Sequence, residues 1–228
     1  MRTPAVAAVL CLLAGCGVYA VHVDPPPHGV PLPARPVDAS ISLGAVETIV
    51  DGRPVPTGDA TIRALDAEFV RAATRSGLFR NVVPAGSPAD LRCDVRRELH
   101  SAPATPGRAL YLALAGPLPF VAPGFPHPWD YRVTRVVRLR GDVDGNDIPL
   151  LARRTAYDER IWSAMYWGGL DADPLRAREA DYVVAALGDA VTTRRPVLDD
   201  FAAAARAHDV EGAWLVGLRA SRDQAPPL

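Results

Sequence analysis

Cys16 has the most constrained setting of any reactive side chain here, because it closes the sequence Leu13-Ala14-Gly15-Cys16. Arg2 supplies a positive start, Ala5 to Leu13 an apolar run, and the small Ala14 and Gly15 a cleavage site directly ahead of the thiol. That order is expected of a bacterial export signal. Cutting after Gly15 would leave Cys16 with a free thiol and a new amino group at the head of the mature chain. Two other readings use the same residues: a transmembrane anchor, for which the run falls short of the roughly 20 residues a spanning helix needs, and an ordinary secretory signal with Cys16 there by chance.

The other thiols offer less. Cys11 lies within the signal, so Cys93 is the one internal cysteine of the mature chain and has no partner for an intrachain disulfide. In Ala89-Asp90-Leu91-Arg92-Cys93-Asp94-Val95-Arg96 the apolar residues alternate with charges, which puts Leu91, Cys93 and Val95 on one face of a strand. Cys93 is therefore expected in the core and not as a nucleophile, which would need a thiolate-stabilising neighbour and an open pocket.

No GxSxG elbow, GxxxxGK[ST] phosphate loop, HExxH or paired CxxC occurs. His100, His127 and His208 have no cysteine or serine nucleophile pattern nearby; His127, between two prolines, reads as a loop residue, and His208 as a cation favoured at a helix end. His22 and His28 read as solvated spacer residues rather than metal ligands. Glu47, Asp90 and Glu98 could act as acid and base only if folding gathered them. Asp142, Asp144 and Asn146 have a calcium-loop spacing, but the glycine falls at the fourth place and Arg153 stands where the glutamate belongs. Trp129, Trp162, Trp167 and Trp214 are read as core or sheet-edge packing and not as a sugar-stacking platform. The expectation is no catalytic residue, no metal site, no cofactor and no enzymatic activity.

The chain has 228 residues, 49% of them hydrophobic, with 25 basic and 26 acidic side chains. It is long enough for one sizeable core. Near-neutral charge gives no field for a polyanion, so no nucleic-acid partner is expected. Every basic residue is Arg, a bias on which no function is built.

Residues 16–38 read as a tether, stiffened by Pro25, Pro26, Pro27, Pro31, Pro33 and Pro36. A strand is expected over 39–50, then a helix over 60–76 with Asp59 as N-cap and Gly77 as stop, a short apolar connection or strand at 78–83, a turn at 84–88 and the strand of Cys93 over 89–99. Two flanks rich in Val, Leu, Tyr and Thr, over 130–139 and 148–162, predict a hairpin about Gly141 to Asp147. A helix over 174–193, another over 198–208 and a short strand over 213–219 follow, with a frayed end from Gln224. Between them, residues 109–126 are uncharged and broken by Gly116, Pro117, Pro119 and Pro123. Leu110, Leu112 and Leu114 are expected buried, and the tip, with Pro117, Leu118, Phe120, Val121 and Phe125, is the candidate interaction surface.

The opening segment resembles the type II signal peptides of bacterial lipoproteins, which implies that Cys16 is diacylated on sulfur, cut free and acylated on nitrogen. The order of elements, with Ala73-Thr74-Arg75-Ser76-Gly77-Leu78-Phe79-Arg80-Asn81-Val82 and Ala89-Asp90-Leu91-Arg92-Cys93-Asp94-Val95, resembles small bacterial envelope lipoproteins. These are similar in fold to the amino-terminal domain of the Tol-system propeller protein and to curli-secretion-type pore lipoproteins. The auxiliary lipoproteins of ABC-type lipid transporters are also similar. The resemblance covers about 39–193, leaves 194–228 as an extension, and implies an α+β two-layer sandwich with helices mainly on one face of a mixed sheet. It further implies a lipid-anchored, non-catalytic scaffold in the cell envelope, at the outer membrane facing the periplasm, with an envelope protein as partner. A transport or pore subunit, as a homo-oligomer using 109–126, and an envelope hydrolase are the alternatives.

Overall fold

The computed structural model describes residues 21–23, 35–102, 109, 110, 113, 126–164 and 173–222. It is an α+β protein with strands β1 (Val21–Val23), β2 (Val37–Val50), β3 (Arg53–Val55), β4 (Phe79–Val82), β5 (Leu91–Ser101), β6 (Pro126–Val143) and β7 (Asn146–Ala164). Its helices are α1 (Asp59–Ser76), α2 (Asp173–Thr193), α3 (Arg195–Arg206) and α4 (Val210–Arg222). The strands run in the order β1-β7-β6-β5-β2-β3, with β4 also paired to β2. The sheet is mixed: β2 is parallel to β4 and β5 but antiparallel to β3.

The chain divides into two compact units. The larger holds Pro25–Leu99, Thr134–Ala156 and Asp173–Leu228. Here strand parity sorts the side chains: Val37, Ala39, Ile41 and Leu43 of β2, Leu91, Cys93 and Val95 of β5, Val137, Leu139 and Val143 of β6, and Ile148 and Leu150 of β7 face one core. The helices close that face. In α1, Leu65, Phe69, Ala72 and Ala73 recur at helical spacing; α2 adds Val183, Leu187, Ala190 and Val191, and α3 adds Leu198 and Phe201. Gly77, at φ 62°, ends α1 as expected. The N-cap, however, is Gly58, and Asp59 is the first helical residue, where its charge meets the helix dipole without a side-chain cap bond. Asp144 and Gly145, at φ 53° and 80°, make the two-residue turn of the β6–β7 hairpin.

The smaller unit holds Met1–Asp24, His100–Val133 and Tyr157–Ala172. Its described part is a ladder in which Val21, His22 and Val23 pair with Ile161, Arg160 and Glu159. The amide of Ala102 donates to the carbonyl of Asp130 at 2.9 Å, and Arg132 pairs with Asp158 at 3.1 Å.

Several expectations give way. The stretch read as a tether contains β1, so Val21 to Val23 are a sheet edge: Val-His-Val is a β-favouring triplet that the prolines around it disguised. Val37, read as spacer, is already a fully buried residue of β2. His127 lies within β6 and not in a loop, its prolines standing near the strand's start. The strand expected over 213–219 is helix α4, because Ala213, Gly217 and Ala220 are buried at helical intervals of four and three. Trp214 is 41% exposed and therefore not core packing. Residues 109, 110 and 113 are helical and exposed, and Leu110, expected buried, is 62% exposed. Leu112, Leu114 and the frayed end lie outside the described residues.

Cys93 is fully buried, and burial, followed by the charge of Asp94, pushes its thiol far up from the ordinary range. It should stay unmodified by a thiol reagent in the native protein and react only as urea unfolds it. Cys93→Ser should lower stability by about 1–3 kcal/mol, the cost of a hydroxyl without a partner on an apolar face, as read by urea denaturation.

Candidate functional site

The face of the sheet opposite the helices carries a cleft of about 820 Å³ within the larger unit. Strand parity builds its floor from Ser40 and Ser42 of β2, Arg92 and Asp94 of β5, and Arg140 and Asp142 of β6. Residues 85–90 form one wall, and Asp144, Asp147 and His208 another. Five aspartates and two arginines line it, so the cleft is locally acidic although the chain is near neutral.

A register shift in β2 organises the floor. Leu43 pairs with Cys93 and Val46 with Val95, so β2 has one residue more than β5 between these pairs. The amide of Ala45, in this bulge, donates to Asp94 Oδ1 at 2.8 Å. Arg140 holds the other carboxylate oxygen of Asp94 at 2.6 Å and also binds Asp147. The hydrogen bond to Asp147 and the charge of Asp94 raise the Arg140 guanidinium above its ordinary range. At the rim, the amide and hydroxyl of Ser40 both donate to Asp90 Oδ2 at 2.7 Å, and the Asp90 amide returns a bond to the Ser40 hydroxyl at 2.9 Å. Arg92 donates to Asp142 at 2.6 Å, the Gly145 amide donates to Asp142 at 3.0 Å, and His208 Nδ1 is 2.9 Å from Asp144.

Each aspartate of the cleft therefore has a partner from the chain. Such an arrangement presents fixed charges of both signs, suited to orienting a polar surface laid against it. Asp90→Ala should cost about 1–2 kcal/mol, since it strips two donors of Ser40 of their acceptor; thermal unfolding measures the loss.

The sequence-nominated residues scatter. Asp90 is in the cleft, whereas Glu47 and Glu98 both pair with Arg96, at 3.7 and 2.7 Å, so the three do not meet. Asp142 and Asn146 are strand residues on either side of the Asp144-Gly145 turn, Asn146 donating to the Val143 carbonyl at 3.1 Å. Among the described residues no group of three or more His, Cys, Asp or Glu side chains could hold a metal ion, and no helix is long and apolar enough to cross a membrane. Cys16 and the nominated surface of Pro117, Leu118, Phe120, Val121 and Phe125 lie outside the described residues.

One constellation escaped the sequence reading. Arg135 of β6 is fully buried and points to the helix side, where its Nε donates to Glu179 of α2 at 2.7 Å and a second donor binds the other carboxylate oxygen. Its guanidinium carbon lies 4.7 Å from the centre of the Tyr182 ring, and Arg97 reaches Glu179 at 3.7 Å. Burial opposes the charge of Glu179, but the two guanidiniums prevail and hold its carboxyl below the ordinary range. The signal was present in parity: Val133, Arg135, Val137 and Leu139 share a face, and an arginine there must be buried with a partner.

No family model matches the chain, and no curated protein matches it. Solved structures do. A dodecameric PelC from Paraburkholderia phytofirmans is 11% identical over 75% of this chain and 97% of its own, with a TM-score of 0.32. A DUF330 protein from Xanthomonas campestris is 14% identical over 90% and 98%, at 0.35. A DUF4136 family protein from Bacteroides thetaiotaomicron is 11% identical over 79% and 97%, at 0.25. At these scores no activity, assembly or location transfers from them.

Proposed function

We propose that the protein is a lipid-anchored, non-catalytic component of a bacterial cell envelope, at the outer membrane facing the periplasm, that binds a protein partner. The observation that carries this reading is Leu13-Ala14-Gly15-Cys16 behind a short apolar run. Acyl chains contribute roughly 0.8 kcal/mol per buried CH2, so several on one residue hold a domain at a membrane almost permanently. The charged cleft supports the binding half, since its side chains are fixed by one another in the free protein and lose little freedom when a partner covers them. The resemblance of 39–193 to small envelope lipoproteins belongs to the same proposal.

Metabolic labelling with an acyl precursor tests it. The parent chain should take up label and Cys16→Ala should not; label retained by Cys16→Ala would defeat the lipoprotein reading. Crosslinking in intact envelopes should capture a partner whose yield falls on reversing the charge at Arg92 or Asp142. The exposure of Leu110 favours a second reading, a transport or pore subunit using 109–126. A ring-sized mass in detergent supports that subunit, and a monomer supports the partner-binding component.

A further inference from the structure

Helix α4 turns Ala213, Gly217 and Ala220 into the core and leaves Trp214, Leu215 and Leu218 exposed by 41%, 58% and 52%. Among the described residues the other large exposed apolar side chains are Val55 and Leu110, so α4 carries the one patch made of neighbours. At 100° per residue the three span an arc of about 100°. Arg222 falls within it and Arg219 beside it, while Glu211 lies at the opposite, N-terminal end. Along this arc the helix thus runs from an acidic N-terminal end at Glu211, through the apolar Trp214, Leu215 and Leu218, to a basic C-terminal end at Arg222.

The chain enters the larger unit through the helix that packs beside this face. Arg35, on the Cys16 side of the larger unit, enters against α3: Arg195 donates to the carbonyls of Arg35 and Pro36 at 2.7 Å, and Arg35 pairs with Asp199 at 3.4 Å. The next residue of α3, Asp200, pairs with Arg219 of α4 at 3.5 Å. Consecutive side chains of α3, Asp199 and Asp200, therefore pair with Arg35 of the incoming chain and with Arg219 near the C-terminal end of α4. Cys16 is 19 residues before Arg35, which limits their separation to about 65 Å even at full extension.

We propose that the Trp214, Leu215 and Leu218 face of α4 rests in the surface of an anionic phospholipid bilayer, with Arg222 at its C-terminal end against lipid phosphates. The inference rests on the lipid-anchor reading for delivery of the helix to the membrane. Tryptophan and leucine on one side with arginine at the rim is the composition of a helix lying in the interface. Acyl chains on Cys16 would hold the whole chain at the membrane and so supply the local concentration that so small a face lacks by itself.

The test uses the mature lipidated chain in vesicles of phosphatidylethanolamine and phosphatidylglycerol, with and without brominated acyl chains. The difference in emission between the parent and Trp214→Phe reports Trp214 apart from the other three tryptophans. This difference should be quenched by bromine, and the quenching should vanish in the double variant Leu215→Asp, Leu218→Asp, whose exposed positions leave its circular dichroism unchanged. Difference emission indifferent to bromine, or unaltered by the double variant, would overturn the proposal. So would a dimer that the double variant dissociates without any bromine effect, since the occupant is then a second copy. Acyl label on Cys16 without Trp214 quenching sinks the helix proposal and leaves the anchor; quenching of Trp214 in a Cys16→Ala chain mixed with the same vesicles supports the helix even where the label fails.

Discussion

Glu179→Ala is expected to destabilise the larger unit by about 3–5 kcal/mol, because it removes the carboxylate that binds two donors of the buried Arg135 guanidinium. Arg135 has no exposed surface and cannot reach water as an exposed arginine would. Arg135→Met combined with Glu179→Met should recover most of the loss, since removing both members abolishes the desolvated charge that either single change strands. The same pair gives a pH signature. The carboxyl of Glu179 is held below its ordinary value of 4.5, so its contribution to stability is complete above about pH 4.5 and is lost as the pH falls through its lower, folded value. Urea denaturation of the parent and of Glu179→Gln across that acid range should show a stability difference that narrows as the pH falls. A difference independent of pH would mean that the ionised carboxylate contributes nothing beyond its shape.

What the sequence disclosed followed from whether one residue pattern had one structural solution. Leu91, Cys93 and Val95 alternate with charges, and only a half-buried strand accommodates that, so β5 and the burial of Cys93 were both legible. The hairpin was legible for a similar reason, since Asp144-Gly145 tolerates positive φ between two β-rich flanks. Helix α4 was misread because its residues are apolar on two faces: small ones pack inward, large ones point out, and the sum resembles a short apolar strand. The cleft was beyond local reasoning. It depends on a bulge at Ala45, whose freed amide requires Asp94, 49 residues away, and on a β6 that sits beside β5 although it follows some 25 residues later. Parity could assign Ser40, Arg92 and Asp142 to one face, but not the register that makes them neighbours. The lipidation proposed for Cys16, by contrast, would need no tertiary structure, because an export signal is read as a linear segment.

Gly141→Val should have the second large effect. Gly141 lies on the core face of β6, between Leu139 and Val143, and a Cβ built there collides with Cζ, Cε2 and Cε1 of Phe201 from α3. Phe201 is fully buried, so its ring has no solvent-side space into which to swing. The absent side chain at 141 is what lets α3 approach the sheet. Overpacking a filled core typically costs about 1–3 kcal/mol and occasionally more, and a β-branched side chain against a locked ring belongs at the upper end, so about 3 kcal/mol is expected by urea denaturation. Phe201→Leu alone should cost about 1 kcal/mol or more through the space it opens. In the double variant the valine would occupy that space, and the combined loss should be clearly smaller than the sum of the two. Strict additivity would show that the ring and the strand do not meet, and that the helices are held to the sheet by some other contact.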